Sequence, residues 1–212
     1  MKRPSNAALS CIIILTILVV DQILKIWVKT HFYLGESVEI TPWFFLHFIE
    51  NNGMAFGMEL GSKYILTLFR ITIVGLLIWY LSKICSKPAF SRGYIVCLAA
   101  IIAGAAGNII DCLFYGLIFN NPMPPEVATL FPPDGGYAPV LLGRVVDMLY
   151  FPLFSFVWPD WMPFVGGQHF LFFQPVFNIA DAAISVGIIV LILFYSKYLS
   201  VPVKESQSEK AE

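Results

Sequence analysis

Charge is the scarcest commodity in this chain. Asp, Glu, Lys and Arg make up 13% of its 212 residues, against 58% hydrophobic and 16% aromatic. A water-soluble domain carries roughly 25% charged residues, so the composition excludes one and points to an integral membrane protein. Thirteen cations face 14 anions, a net charge of -1, which lacks the basic excess a nucleic-acid partner requires. The four cysteines, Cys11, Cys85, Cys97 and Cys112, sit in or beside apolar runs without paired spacing. They read as buried free thiols, which argues against a disulfide framework or a zinc site. The three histidines are scattered and no H-E-x-x-H occurs, which excludes that metalloprotease helix. No internal repeat appears, whereas transporters are commonly built from repeated halves. "AISVG" around Ser185 only half-matches G-x-S-x-G, with no histidine at its depth, so a serine nucleophile is disfavoured. Nothing calls for a metal or an organic cofactor.

Long apolar runs are what the chain does have. Four are long enough for the ~20 helical residues that cross a hydrocarbon core, near residues 8–29, 63–84, 94–116 and 177–198. Lys2 and Arg3 precede the first, Lys83, Lys87 and Arg92 fall between the second and third, and Lys197, Lys204 and Lys210 follow the fourth. The positive-inside tendency then places both termini and the 85–93 loop in the cytoplasm, and segments 30–62 and 117–176 outside. Residues 1–200 read as one membrane domain and 201–212 as a polar cytoplasmic tail. The beginning resembles a signal peptide, but its apolar run continues into "DQILKIWVK" without a small-residue cleavage site, so a retained helix is expected.

The outward segments have their own signals. "SVEITPWFFLHFIENNGMAFGM" mixes β-branched and aromatic residues with Asn52 and Gly53, which suits a short sheet or hairpin. "NPMPPEVATLFPPDGG" is dense in Pro and Gly and reads as an irregular insertion that could serve as a lid or docking surface. "FPLFSFVWPDWMPF" is aromatic and Pro-broken, suited to the membrane interface rather than to a span.

The few ionisable groups inside the spans carry the functional signal, because a carboxylate near a bilayer is expensive unless paired, solvated or used. At ~1.5 Å per residue, Asp21 lies about 20 Å and Lys25 about 26 Å from an inner start near residue 8. Asp111 lies roughly 26 Å from an inner start near residue 94, and Asp181 falls in the first turns of a helix entering from outside. Asp147, in "GRVVDMLYF", can approach the same level. Each has a purely structural reading: Asp21 and Lys25 as an i,i+4 ion pair, Asn108 and Asp111 as interhelical glue behind Gly104 and Gly107, Asp181 as a helix-dipole charge. Arg70 reads as a snorkelling or structurally paired cation, and Arg144 is ambiguous. Asn178 and Asp181 repeat the N-x-x-D spacing of Asn108 and Asp111, which puts amide and acid on one helix face. Two neighbouring carboxylates share one proton; the ionised one can activate water while the protonated one polarises a carbonyl. That is peptide hydrolysis without metal or covalent intermediate. Spacing leaves open which acid partners Asp181, and Asp111 is the deeper candidate.

The ordered set "VVDQILKIWV", "NNGMAFG", "AGAAGNIID", "GRVVDM" and "FNIADAAI" resembles lipoprotein signal peptidase (signal peptidase II), a family of bacterial membrane aspartic proteases. The resemblance implies an all-α membrane fold with a small β element: four transmembrane helices, an outward-facing β-cradle and an interfacial helix. It implies Asp147 and Asp181 as the catalytic dyad. Asp21, Lys25, Asn51, Gly53, Gly104, Asn108, Asp111, Asn178 and Ala180 would be substrate-binding or supporting positions, with Asp111 a structural and substrate-site acid. The substrate would be a prolipoprotein diacylglycerylated on its lipobox cysteine, cut before that cysteine at the outer face of the bacterial inner membrane. Surrounding lipids and globomycin-type cyclic peptides are the other partners it implies. Two departures stand out. The family's usual Arg after the third-motif Asp is Cys112 here, with Arg144 a conceivable substitute. The stretches 117–142 and 150–175 are longer than the family's.

Overall fold

A computed structural model describes residues 4–52 and 63–202. Gly53 and most of "NNGMAFG" lie outside the described residues, as do Lys2, Arg3 and 203–212. Among the described residues four helical segments are long and apolar enough to cross a membrane: Asn6–His31, Lys63–Ile84, Arg92–Ile118 and Ile179–Ser200. They match the four expected spans. The first is α1 (Asn6–His31), started by the Ser5 hydroxyl, which accepts from the Ala8 N–H, and ended where Phe32 turns extended. It is followed by α2 (Lys63–Ile84) and by α3 (Arg92–Ile110), capped by Ser91. The third span then passes through a π-helical turn, Asp111–Tyr115, into a one-turn α4 (Gly116–Ile118). The fourth is α5 (Ile179–Tyr195), closed by a 3-10 turn at Ser196–Ser200.

The third span is the axle of the bundle. Of its most apolar 18-residue stretch 61% is buried, against 11–17% in the other three, and α3 packs on α1, α2 and α5. Small residues make this approach possible. A Cβ on Gly104 would lie 2.2 Å from the Ala180 carbonyl oxygen, and one on Gly187 would lie 3.1 Å from the Cys97 carbonyl oxygen. The other spans turn large apolar side chains outward, such as Leu15, Phe69, Trp79 and Phe194, as a bilayer as solvent allows.

At one end of the bundle, where α1 and the third span finish and α2 and α5 begin, stands an antiparallel sheet of β1 (Ser37–Thr41), β2 (Phe44–Asn51) and β3 (Val145–Tyr150) in that order. The sheet expected over "SVEITPWFFLHFIENNGMAFGM" is there in its described part, but its hairpin turns at Pro42–Trp43 rather than at Asn52, and a third strand is supplied from beyond the insertion. Ile49 pairs with Asp147 and Asn51 with Val145. Val28, Phe48, Phe119, Val146 and Met148 form the core beneath the sheet.

The insertion is irregular, as expected, but it is stapled down. Buried Phe119 and the bridges Tyr33–Val127 and Phe119–Leu130 fasten it. The aromatic stretch read as too Pro-broken to span forms no span, but part of it is regular: β4 (Phe154–Val157) and β5 (His169–Phe172) form a second antiparallel hairpin, with Phe154 opposite Phe172 and Phe156 opposite Phe170. The prolines fall at its ends and tip, leaving the strands free to pair. The interfacial helix has no counterpart among the described residues of the outward segments; this hairpin is the element found there. Cys97 and Cys112 are buried free thiols, whereas Cys11, expected to be buried, is exposed on the outside of α1.

Candidate active site

The site is built from the bundle upward. Lys25, on α1 and fully buried, is the root: its Nζ meets Asp21 Oδ2 at 2.9 Å and Asp111 Oδ2 at 2.7 Å. A buried ammonium without such partners would be costly; here two carboxylates and an amide oxygen, Asn108 Oδ1 at 2.9 Å, satisfy its three donors. Gln22 Nε2 seals the cluster, donating to Asp111 Oδ1 at 2.9 Å, while Tyr115 OH donates to Gln22 Oε1 at 3.1 Å. The π-helical turn brings Asp111 to this point, and its Oδ2 also accepts from the Val146 N–H of β3 at 3.4 Å.

Two asparagines form the next tier. With its oxygen committed to Lys25, Asn108 turns its amide nitrogen to Asp181 Oδ1, 2.7 Å away. Asn178 is the N-cap of α5: its Oδ1 accepts from the Asp181 N–H at 2.8 Å, and Asp181 Oδ2 accepts from the Asn178 N–H at 3.4 Å, a reciprocal capping box. Asn178 Nδ2 also donates to Asp147 Oδ1 at 2.7 Å. One asparagine therefore touches both acids, from a strand and from a helix. The first turn of α5 is fixed again from α1, since the Ala180 N–H donates to Asp21 Oδ1 at 2.9 Å. That answers for Ala180, whose side chain is buried against α3.

The acids top this stack. Asp147 is buried and also accepts from Asn51 Nδ2, one strand away and diagonal across the register. Burial, and then the neighbouring Asp181, push its carboxyl up to about 7, although the amides of Asn51 and Asn178 and the Lys25 charge pull the other way. Asp147 and Asp181 line a cavity of about 880 Å³ with Asn51, Asn108 and Arg70. Its other wall is apolar and comes from β5 and the segment after it, 170–177.

The sequence-derived site residues thus divide. Asn51, Asn108, Asp147 and Asp181 face the cavity, while Asp21, Lys25, Asp111, Asn178, Ala180 and Gly104 stand behind it as support. Asp111, the deepest suspect by spacing, is fully buried under Lys25 and does not border the cavity. Arg70, read as structural, does border it. Arg144 points elsewhere, to Glu50 Oε2 at 3.2 Å and Asn121 Oδ1 at 3.0 Å, so it does not supply a cation to the cavity in place of Cys112. Sequence reasoning overlooked Gln22 and the clasp in which Lys29 binds Glu50, both buried, under the rings of Phe48, Phe119 and Tyr137. Lys29 one turn after Lys25 was the available signal.

Fold and site together define a multi-pass membrane protein with a largely apolar pocket, floored by two acids, at one end of its helical bundle. Comparison with known proteins is specific. A family model for signal peptidase (SPase) II matches residues 13–197, and the chain belongs to that family of peptidases. It is 50% identical over 199 residues to the lipoprotein signal peptidase of Porphyromonas gingivalis, covering 94% of this chain and 87% of that one. It is 34% identical over 202 residues to that of Amoebophilus asiaticus, covering 92% and 81%. Among solved structures, one described as a bacterial membrane enzyme by the in meso method at 2.3 Å superposes with a TM-score of 0.61 at 25% identity, covering 91% of this chain and 90% of that chain.

Proposed function

We propose that this protein is an aspartic endopeptidase that removes the signal peptide from diacylglyceryl-modified prolipoproteins, cutting before the lipidated cysteine. The carrying observation is Asn178, which hydrogen-bonds Asp147 and caps the helix that presents Asp181, so that both carboxylates face one cavity. Membership of the signal peptidase II family and relatives named lipoprotein signal peptidase support the substrate class.

In this reading Asp147, the more buried acid, holds the proton and hydrogen-bonds the scissile carbonyl. Ionised Asp181 takes a proton from a water, whose oxygen attacks the carbonyl carbon. As the tetrahedral intermediate collapses, the C–N bond breaks and the departing cysteine amine takes a proton from the acid pair. Asn108 and Asn178 hold the carboxylates in place, which is where orientation contributes most. The site would lie at the outer face of the bacterial inner membrane, with both termini in the cytoplasm, and globomycin-type cyclic peptides would compete for the cavity.

The test is a reconstituted assay with matched precursors, one carrying the diacylglyceryl group and one unmodified. Cleavage before the cysteine in the lipidated precursor alone is expected. Equal cleavage of the unmodified precursor would overturn the substrate assignment.

A further inference from the structure

The β4–β5 hairpin is an odd object to leave in water. From Val145 to Ser196 the chain contains no lysine or arginine, and from Tyr150 to Ala180 its only charged residue is Asp160. Phe154, Phe156, Phe170 and Phe172 stack along one face, with Trp158 packed edge-on against Phe156 at 4.7 Å and Phe170 at 5.8 Å. Phe164 at the tip is 99% exposed and Trp161 78%. A two-stranded hairpin is marginal by itself, and an exposed apolar surface of this kind marks an interaction site.

Its position says what covers it. Both feet are fastened at the start of α5, where the Phe173 N–H donates to the Phe151 carbonyl at 3.1 Å, and Phe177 pairs with Leu149. The hairpin is therefore continuous with a membrane-spanning helix whose outward face is Val186, Ile189 and Leu193. Phe170, Leu171 and Phe172 of its inner strand, with Phe173 after it, form the apolar wall of the cavity that holds Asp147 and Asp181. One strand thus joins a hydrocarbon environment to the acids and carries no lysine or arginine of its own; the lining cation Arg70 belongs to α2.

We propose that the β4–β5 hairpin seats fatty acyl chains of the lipid-modified substrate, with β5 as the rail along which they run from the outer leaflet to the acids. This rests on the proposed substrate class and adds the surface that reads the lipid. A chain laid on Phe170, Leu171 and Phe172 exchanges lipid neighbours for a fixed aromatic wall, and each methylene along it adds contact.

Trp158 is a built-in reporter. In full-length protein with Trp27, Trp43, Trp79 and Trp161 changed to Phe, reconstituted in unbrominated phospholipid vesicles, fluorescence is followed on adding precursor with brominated or ordinary acyl chains. Loss of Trp158 fluorescence with the brominated precursor alone is expected. In parallel, Phe170→Ser with Leu171→Ser should raise KM for a long-chain precursor roughly tenfold, and progressively less as the chains shorten. If brominated precursor is cleaved normally but leaves Trp158 unquenched, or if, in a second set of vesicles made with brominated phospholipid, the bulk lipid quenches Trp158 and the precursor does not, the rail is wrong while the peptidase reading stands. If lipidated precursor is neither bound nor cleaved, the peptidase reading fails and takes the rail with it.

Discussion

Lys25 Nζ donates to Asn108 Oδ1 at 2.9 Å, and this contact settles which end of the Asn108 amide faces Asp181. A buried charge on α1 thereby orients an acid on α5 without touching it. Lys25→Met should leave Asp21 and Asp111 buried and uncompensated and lower stability by about 3–5 kcal/mol. Thermal unfolding in detergent checks this, and adding Asp111→Asn to Lys25→Met should recover part of the loss, because the two residues share one network.

Asp147→Asn and Asp181→Asn should each lower precursor cleavage by at least about 100-fold, the low end for a positioned acid or base. The fold should persist for Asp147→Asn: the single amide oxygen still accepts from one of the two donors, Asn51 or Asn178, and loss of the other bond is offset by ending a carboxylate's desolvation cost. Cleavage and unfolding curves on the same purified samples measure both; substantial turnover by either variant would sink the dyad assignment.

The proton on Asp147 gives a signed pH dependence. Its carboxyl is raised from 3.8 to about 7 in the folded protein, so between about pH 4 and 7 the folded state binds the extra proton. By linkage this residue's contribution to stability is greatest below that window and falls as pH rises through it. If the protonated form is the catalytic one, kcat/KM should decline above about pH 7. Asp147→Asn should flatten this part of the stability–pH curve, which chemical unfolding at pH 4, 6 and 8 would show.

Asn51 donates to Asp147 and so favours its ionised form. Asn51→Ala should move the alkaline limb of the pH–rate profile upward while reducing the rate. A limb that stays in place would show that Asp147 does not set it.

Gly104→Ala places a methyl 2.2 Å from the Ala180 carbonyl oxygen, which is backbone and cannot swing away. The α3–α5 contact must open, at roughly 1–3 kcal/mol, and Asn108 and Asp181 must separate with it. A lower unfolding temperature together with loss of cleavage is the expected pair of results.

The large-scale plan was legible because a bilayer leaves few choices: four oily runs, and acids whose depth along separate helices converges on one level. The capping role of Asn178 was half visible, since N-x-x-D marks one helix face but not the reciprocal bonds. What escaped was whatever spacing within one helix cannot express. Asp111 looked catalytic by depth, yet Lys25 and Gln22, from another helix, claim both its oxygens. The hairpin escaped because its prolines, read as interruptions of a span, stand at the edges of two strands too short to reveal a period. The clasp of Lys29 and Glu50 escaped for the same reason as Gln22: its partners are distant in sequence. It matters because Glu50 immediately precedes Asn51 on β2.

The bond from the Ala180 N–H to Asp21 links residues 159 positions apart. It ties the opening turn of the last span to the first, next to the acid that the last span delivers. A chain still being inserted has Asp21, Lys25, Asn108 and Asp147 in hand, but nothing to set against them until α5 arrives. Under the proposed dyad, proteolytic competence would then be the final event of assembly.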